Sequence, residues 1–284
     1  MAKRITIISN PESGYNARKG MSAFDAEAAR YNLPHVKAST PEEIENALKT
    51  LSQSAPETLI INAGDGTVDL IITLIQNKKI FKTAPALILL MGGTTNLIHR
   101  DVGMKDKPHI ALKKIINGNL REITRSPLKI RRTNPETAPL YGFFLGTGAI
   151  PRVILKTRKH LHKRGLNGPF SEMLTLGGVL LRLKLKRDLN SDELLKPVSV
   201  KTGNKDESQI FMALTTLEKL IPSIKSPASD NQIGMLYMND DRHLKREQTS
   251  VLSIEIEDPW VLDGEMQEPG KIEITLGDPV RFLI

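Results

Sequence analysis

The 284-residue chain contains no cysteine, which excludes disulfides and thiolate metal sites and fits a reducing compartment. Aromatic residues make up 4% of it, with a single tryptophan, so it has little surface on which nucleobases could stack. No run approaches the roughly 18 apolar residues that a bilayer-spanning helix needs. The opening residues 1–9 put basic side chains before an apolar run, but that run is too short for a secretory leader and reads as a first strand. Gly-x-x-x-x-Gly-Lys-Ser/Thr, the usual P-loop, does not occur. Internal repeats and low-complexity tracts are absent as well.

What is present has the composition of a soluble globular protein with one bias, a formal charge of +8 and a pI near 9.5. That balance favours an anionic partner: a nucleotide, an anionic lipid surface or nucleic acid. The scarcity of aromatics disfavours the last.

The most informative stretch is residues 58–69, Thr-Leu-Ile-Ile-Asn-Ala-Gly-Asp-Gly-Thr-Val-Asp. Leu59 to Ile61 reads as a buried strand that stops at Asn62-Ala63-Gly64. After the turn Gly64-Asp65-Gly66-Thr67, the apolar residues Val68, Leu70, Ile71, Ile72, Leu74 and Ile75 continue over a helical length. A strand, a tight glycine turn and a helix leave backbone N–H groups free at a helix N-terminus, which attracts phosphate. Asp65 sits inside that turn, where a carboxylate calls for a metal ion or a transferable proton. The combination points to nucleotide phosphate and magnesium.

Around this stretch the first ~120 residues alternate strand and helix. Strands are expected at 5–9, 36–39 and 86–90, and helices at 17–30 and 108–116. Thr40-Pro41-Glu42-Glu43 reads as a helix start, with Thr40 as N-cap, Pro41 at the first helical position and Glu43 closing a capping box. That helix puts Ile44, Leu48 and Leu51 on one face. Near-continuous apolar strands between helices predict a parallel sheet covered on both faces. The glycine-bearing turns at 10–14, 63–67 and 92–96 all follow strands, so they line the carboxyl edge, where open α/β sheets bind ligands.

From about residue 121 the character changes. Strands are expected at 121–131 and 140–145, and helices near 150–162 and 169–186. Short strands follow at 198–201, 210–216, 235–238, 251–256, 271–276 and 280–283, with loops at 221–233 and 239–247. The predicted fold is α/β plus all-β: an N-terminal α/β nucleotide-binding domain with a parallel sheet, then an antiparallel β-sandwich with flanking helices. The expected domains are 1–124 and 125–284.

Several apparent motifs fail on inspection. His99-Arg100-Asp101 imitates a protein-kinase catalytic loop, but Asp106 stands where that loop needs Asn and no Asp-Phe-Gly follows, so it reads as helix or loop surface. Gly146-Thr147-Gly148 meets Pro151 where a dinucleotide fingerprint needs a third glycine. His160 and His162 would point to different helix faces, which suits solvated side chains better than a metal pair. Residues 152–187 are densely basic around an apolar centre. They read either as a docking surface for anionic lipid or as a solvated helix face.

Four motifs in order carry a resemblance. Asn10-Pro11-Glu12-Ser13-Gly14 is similar to Asn-Pro-x-x-Gly, and Ala63-Gly64-Asp65-Gly66-Thr67 to Gly-Gly-Asp-Gly-Thr. Gly93-Thr94-Thr95-Asn96 is similar to Gly-Thr-x-Asn, and the late Asp263-Gly264-Glu265 to Asp-Gly-Glu. Together they resemble the diacylglycerol kinase catalytic family, which includes bacterial lipid kinases and sphingosine kinases, and Gly146-Thr147-Gly148 sits where that family has a turn opening its second domain. The resemblance implies an ATP- and Mg²⁺-dependent kinase of a diacylglycerol-like lipid hydroxyl, cytoplasmic and peripherally bound to an anionic membrane surface. It leaves room for a homodimer and implies no nucleic-acid partner.

Carried over, Asn10, Ser13, Gly14, Thr40, Gly64, Asp65, Gly66, Thr67, Gly93, Thr94 and Asn96 would form the nucleotide site. Asp65 would hold Mg²⁺, and Glu265 would be the general base, facing Asp65 over a shared groove. The chemistry agrees, since phosphoryl transfer needs phosphate cradling, a metal and a carboxylate to accept the hydroxyl proton. Asp263-Gly264 taken alone is a strong hairpin signal. The chain departs from the pattern at Leu97, where the family has an acid after Gly-Thr-x-Asn, and at Ile233-Gly234, where many members hold a structural metal with Asp-Gly and only Asp230 is near. Ile150 stands where sphingosine kinases offer an acid, which disfavours an amino lipid. The alternatives are a soluble-substrate kinase resembling NAD kinases, which share the Gly-Asp-Gly turn, and a lipid- or nucleotide-binding protein without turnover.

Overall fold

A computed structural model describes residues 4–93, 96–118, 120–133, 137–162, 196–202, 205–218, 228–229, 232–239 and 243–284. The chain forms two compact units, Met1–Arg125 with Asp278–Ile284, and Ser126–Gly277.

The first unit is an open, mostly parallel sheet with helices. Strands β1 (Ile5–Ser9), β2 (His35–Lys37), β3 (Thr58–Ala63) and β4 (Ala86–Met91) pair in parallel in the order β2-β1-β3-β4. Every residue of β3 is buried, which is why its sequence is apolar without alternation. Ile7, Ile60, Ile88 and Leu90 pack with Phe24 and Ala28 of helix α2 (Ser22–Arg30) and with Ala111, Leu112 and Ile115 of helix α6 (Pro108–Asn117). Helix α3 (Pro41–Ser52) begins as expected. Thr40 accepts the Glu43 N–H, the Glu43 side chain accepts the Thr40 N–H, and Ile44, Leu48 and Leu51 are buried. Helix α4 (Asp65–Lys78) follows the central turn, and the short helix α5 (Leu97–Val102) follows the third.

Three expectations need correction here. The helix expected over 17–30 is two, α1 (Gly14–Lys19) and α2. Gly20 separates them with φ +71, a conformation that ends a helix. The strand expected over 121–131 breaks at Ser126-Pro127 into β5 (Glu122–Arg125) and a strand of the other unit. Strand β17 (Val280–Leu283), expected in the second domain, pairs in the first sheet between β4 and β5, with Phe282 opposite Leu87 and fully buried. Its apolar pattern shows a strand but not which sheet receives it.

The second unit is antiparallel throughout. Its described strands are β6 (Leu128–Arg132), β7 (Leu140–Gly142), β8 (Phe144–Gly148), β9 (Val198–Thr202), β10 (Lys205–Thr215), β11 (Ile233–Asn239), β12 (Leu244–Thr249), β13 (Val251–Ile256), β14 (Trp260–Leu262), β15 (Glu265–Gln267) and β16 (Gly270–Leu276). They form one hydrogen-bonded network in the order β15-β14-β8-β10-β9-β13-β16-β6-β7, with β11 and β12 branching from β10. Along β13, Leu252, Ile254 and Ile256 point inward and Val251, Ser253 and Glu255 outward. The inward set packs with Leu145, Met212, Leu214, Trp260 and Ile274. Helix α7 (Ala149–His162) follows β8, and Ile150 is buried in it. No helix among the described residues is long and apolar enough to cross a membrane.

Two readings change in this unit. The loop expected over 239–247 contains the start of β12, paired with β11. Gly146-Thr147-Gly148 is not a turn but the end of β8. Gly148 has φ +66, and a Cβ there would lie 2.4 Å from the Ile210 carbonyl oxygen. The helix expected near 169–186, most of the 152–187 basic stretch and most of the 221–233 loop, including Asp230, lie outside the described residues.

Candidate active site

The three glycine turns leave the carboxyl ends of the parallel strands β1, β3 and β4, and short polar contacts join them. Asn10 Nδ2 donates to Thr67 Oγ1 at 2.9 Å, tying the first turn to the second. Asn10 Oδ1 accepts the Glu12 N–H at 2.9 Å, which fixes the side chain. Ser13 Oγ accepts the Gly64 N–H at 3.1 Å. In the third turn, Asn96 Oδ1 accepts the Gly93 N–H and its Nδ2 donates to the Gly93 carbonyl, both at 3.1 Å. The second and third turns meet backbone to backbone, since a Cβ on Gly93 would lie 2.4 Å from the Gly64 Cα. The N–H groups of Asp65 and Gly66 begin helix α4, 14 residues long, so its positive end opens at the second turn.

Asp65 is 6% exposed, and the protein itself compensates its charge. Oδ2 accepts the Leu97 N–H at 2.7 Å and Oδ1 the Ile98 N–H at 3.2 Å, while His99 Nδ1 stands 3.3 Å from Oδ1. His99 and Asp101, expected at a surface, are therefore buried, His99 beside Asp65 and Asp101 paired with Arg125 Nε at 2.9 Å. Three protein groups, two backbone N–H and one imidazole, thus face the carboxylate that the sequence leaves in need of a partner. Among the described residues no group of three His, Asp or Glu side chains could hold one. This donor set does not fit a dedicated Mg²⁺ site, which would need open carboxylate oxygens in a near-octahedral shell.

Thr40 follows β2 on the same sheet edge, but its hydroxyl is engaged in the α3 cap and the residue is exposed. Thr94 lies outside the described residues. Sequence reasoning missed Asn16, which is buried in α1, with Nδ2 donating to the Asn10 carbonyl at 2.9 Å and the Asn62 carbonyl at 3.0 Å. Its backbone N–H and that of Tyr15 donate to the Gly92 carbonyl, so Asn16 draws all three turns together. Starting the first helix at residue 17 hid it. Below the first turn, Ser9 Oγ is 2.8 Å from His35 Nε2. Burial holds that imidazole below its ordinary pKa of 6.5, with Asp25 opposing the shift and Lys37 adding to it.

In the second unit, Asp263-Gly264-Glu265 is a hairpin joining β14 to β15. Leu262 pairs with Glu265, and Asp263 and Gly264 have φ of +46 and +98, the two positive angles of a two-residue hairpin turn. Asp263 is buried, with Oδ2 accepting the Phe143 N–H at 2.6 Å and its own N–H donating to the Phe144 carbonyl at 2.8 Å. The turn is thus clamped to β8 and its approach, and Glu265 next to it is exposed.

An open α/β unit with glycine turns at its carboxyl edge, followed in the chain by an antiparallel β unit, is the architecture the motifs implied. Residues 4–126 match the family model of the diacylglycerol kinase catalytic domain. Solved structures from Bacillus anthracis str. Sterne share the fold. One described as a diacylglycerol kinase is 13% identical, with a TM-score of 0.61 over 99% of this chain and 96% of its own. Two candidate diacylglycerol kinases are 15% and 16% identical, with TM-scores of 0.62 and 0.64 over 99% of this chain and 95% and 97% of theirs. No curated protein sequence matches the chain.

Proposed function

We propose that the protein transfers the γ-phosphoryl group of MgATP to the hydroxyl of a diacylglycerol-like lipid. The observation that carries this reading is the array of three joined turns at one sheet edge, opening on the head of α4. Asn10, Ser13, Gly14, Gly64–Thr67, Gly93, Thr94 and Asn96 form the phosphate cradle in this reading, with Thr40 at its margin, and Mg²⁺ arrives on the nucleotide's phosphates. Glu265, exposed beside its rigid turn, accepts the proton as the lipid oxygen attacks the γ-phosphorus. The bond to the β-phosphate oxygen breaks, giving ADP and the phosphorylated lipid.

The net charge of +8 supports peripheral work at the cytoplasmic face of an anionic membrane. The protein should sediment with liposomes containing anionic lipid and release as salt rises; binding indifferent to both would remove the membrane reading. ATP consumption stimulated by extracted lipid is expected of the enzyme, whereas ATP binding without turnover would favour a non-catalytic nucleotide-binding protein. Stimulation by a soluble acceptor in place of lipid would point to a kinase resembling NAD kinases.

A further inference from the structure

Each oxygen of Asp65 accepts a hydrogen bond from the protein. The donors, the N–H groups of Leu97 and Ile98 and the imidazole of His99, all come from the first turn of α5, whereas Asp65 opens α4. One carboxylate therefore joins the second glycine turn to the third. Its side chain is 5% exposed and that of His99 is 0% exposed, so water competes little for these bonds. A carboxylate can only accept, so Nδ1 of His99 carries the proton in this contact. Leu97 and Ile98 contribute buried apolar side chains and no second acid. The backbone contact of Gly64 with Gly93 gives the joint a second point of attachment.

We infer that Asp65 is a positioning residue: it bolts the second and third turns together, with His99 as its side-chain partner, and is not the ligand of the magnesium ion. The inference rests on reading the turns as an ATP site, and it replaces the metal role that the motif alone suggested. Without the bolt the cradle loosens whether or not a cation is present. A metal ligand, in contrast, would matter only when the cation is there.

The test measures ATP binding by calorimetry with magnesium and again in EDTA, and the unfolding midpoint without nucleotide, for the parental protein, D65N, H99Q and the double variant. D65N is expected to weaken ATP by about tenfold in both arms and to lower the midpoint by about 5 °C. H99Q keeps the carboxylate and its backbone bonds, and should weaken ATP less but again equally in both arms. The double variant should melt close to D65N, because His99 loses its partner once the carboxylate is gone. A loss of ATP affinity confined to the magnesium arm, or midpoint shifts that simply add, would overturn the inference. A parental protein that binds no ATP in either arm would instead remove the kinase reading, and the melting data would still decide the bolt.

Discussion

Gly93 and Gly64 show at the residue scale why glycine occupies these turns: the two backbones touch, and a Cβ on Gly93 would overlap the Gly64 Cα. Gly93→Ala should push the second and third turns apart, costing about 1–3 kcal/mol of stability by overpacking and removing ATP binding. Calorimetry and denaturant unfolding on the same sample would check both. His35 supplies a pH signature. Its native pKa is depressed by burial, so the unfolded chain takes up a proton near pH 6.5 before the folded one does. Stability is therefore complete above 6.5 and falls as pH drops below it toward the native value. His35→Gln should flatten that decline, as followed by the unfolding midpoint. Asn10, Gly64 and Asp65 could be found from the sequence because glycine and polar residues interrupt apolar strands there. Asn16 and His99 could not, because their roles arise from contacts across turns that local pattern does not encode.

At the scale of the element, α3 shows what local sequence can specify. Its capping box needs neighbours only three residues apart, and Thr40, Pro41 and Glu43 all take their expected places. Thr40→Ala should cost about 1 kcal/mol, read by chemical denaturation. The backbone N–H groups of Ser39 and Thr40 hold the Glu43 carboxyl below its ordinary 4.5, so the cap's contribution is present above that pH and lost as acid protonates it. Strand β12 marks the opposite case. Leu244–Thr249 is charged and largely exposed and pairs with β11 alone among the described strands, so no apolar alternation announces it. The helix expected over 17–30 runs across Gly20, whose positive φ ends α1 before α2 begins.

For the whole molecule, the order of strands along the chain is not their order in the sheets. Strand β17 returns from the second unit's sequence to insert between β4 and β5 of the first sheet, and Phe282 is fully buried there. Phe282→Ala should destabilise the first unit by about 3–5 kcal/mol. Hydrogen exchange should show β4 and β5 losing protection while β13 and β16 keep theirs. In the proposed reaction the phosphate cradle comes from residues of the first unit and the proton acceptor, Glu265, from the second. Transfer of labelled phosphate from ATP into a panel of lipid alcohols tests that claim most directly, with Asp65→Asn and Glu265→Gln in parallel. The account predicts a labelled lipid with the parental protein and transfer lowered at least 100-fold by Glu265→Gln, in line with loss of a general base. Full transfer by both variants, or none into any lipid by a parental protein that binds ATP, would contradict it.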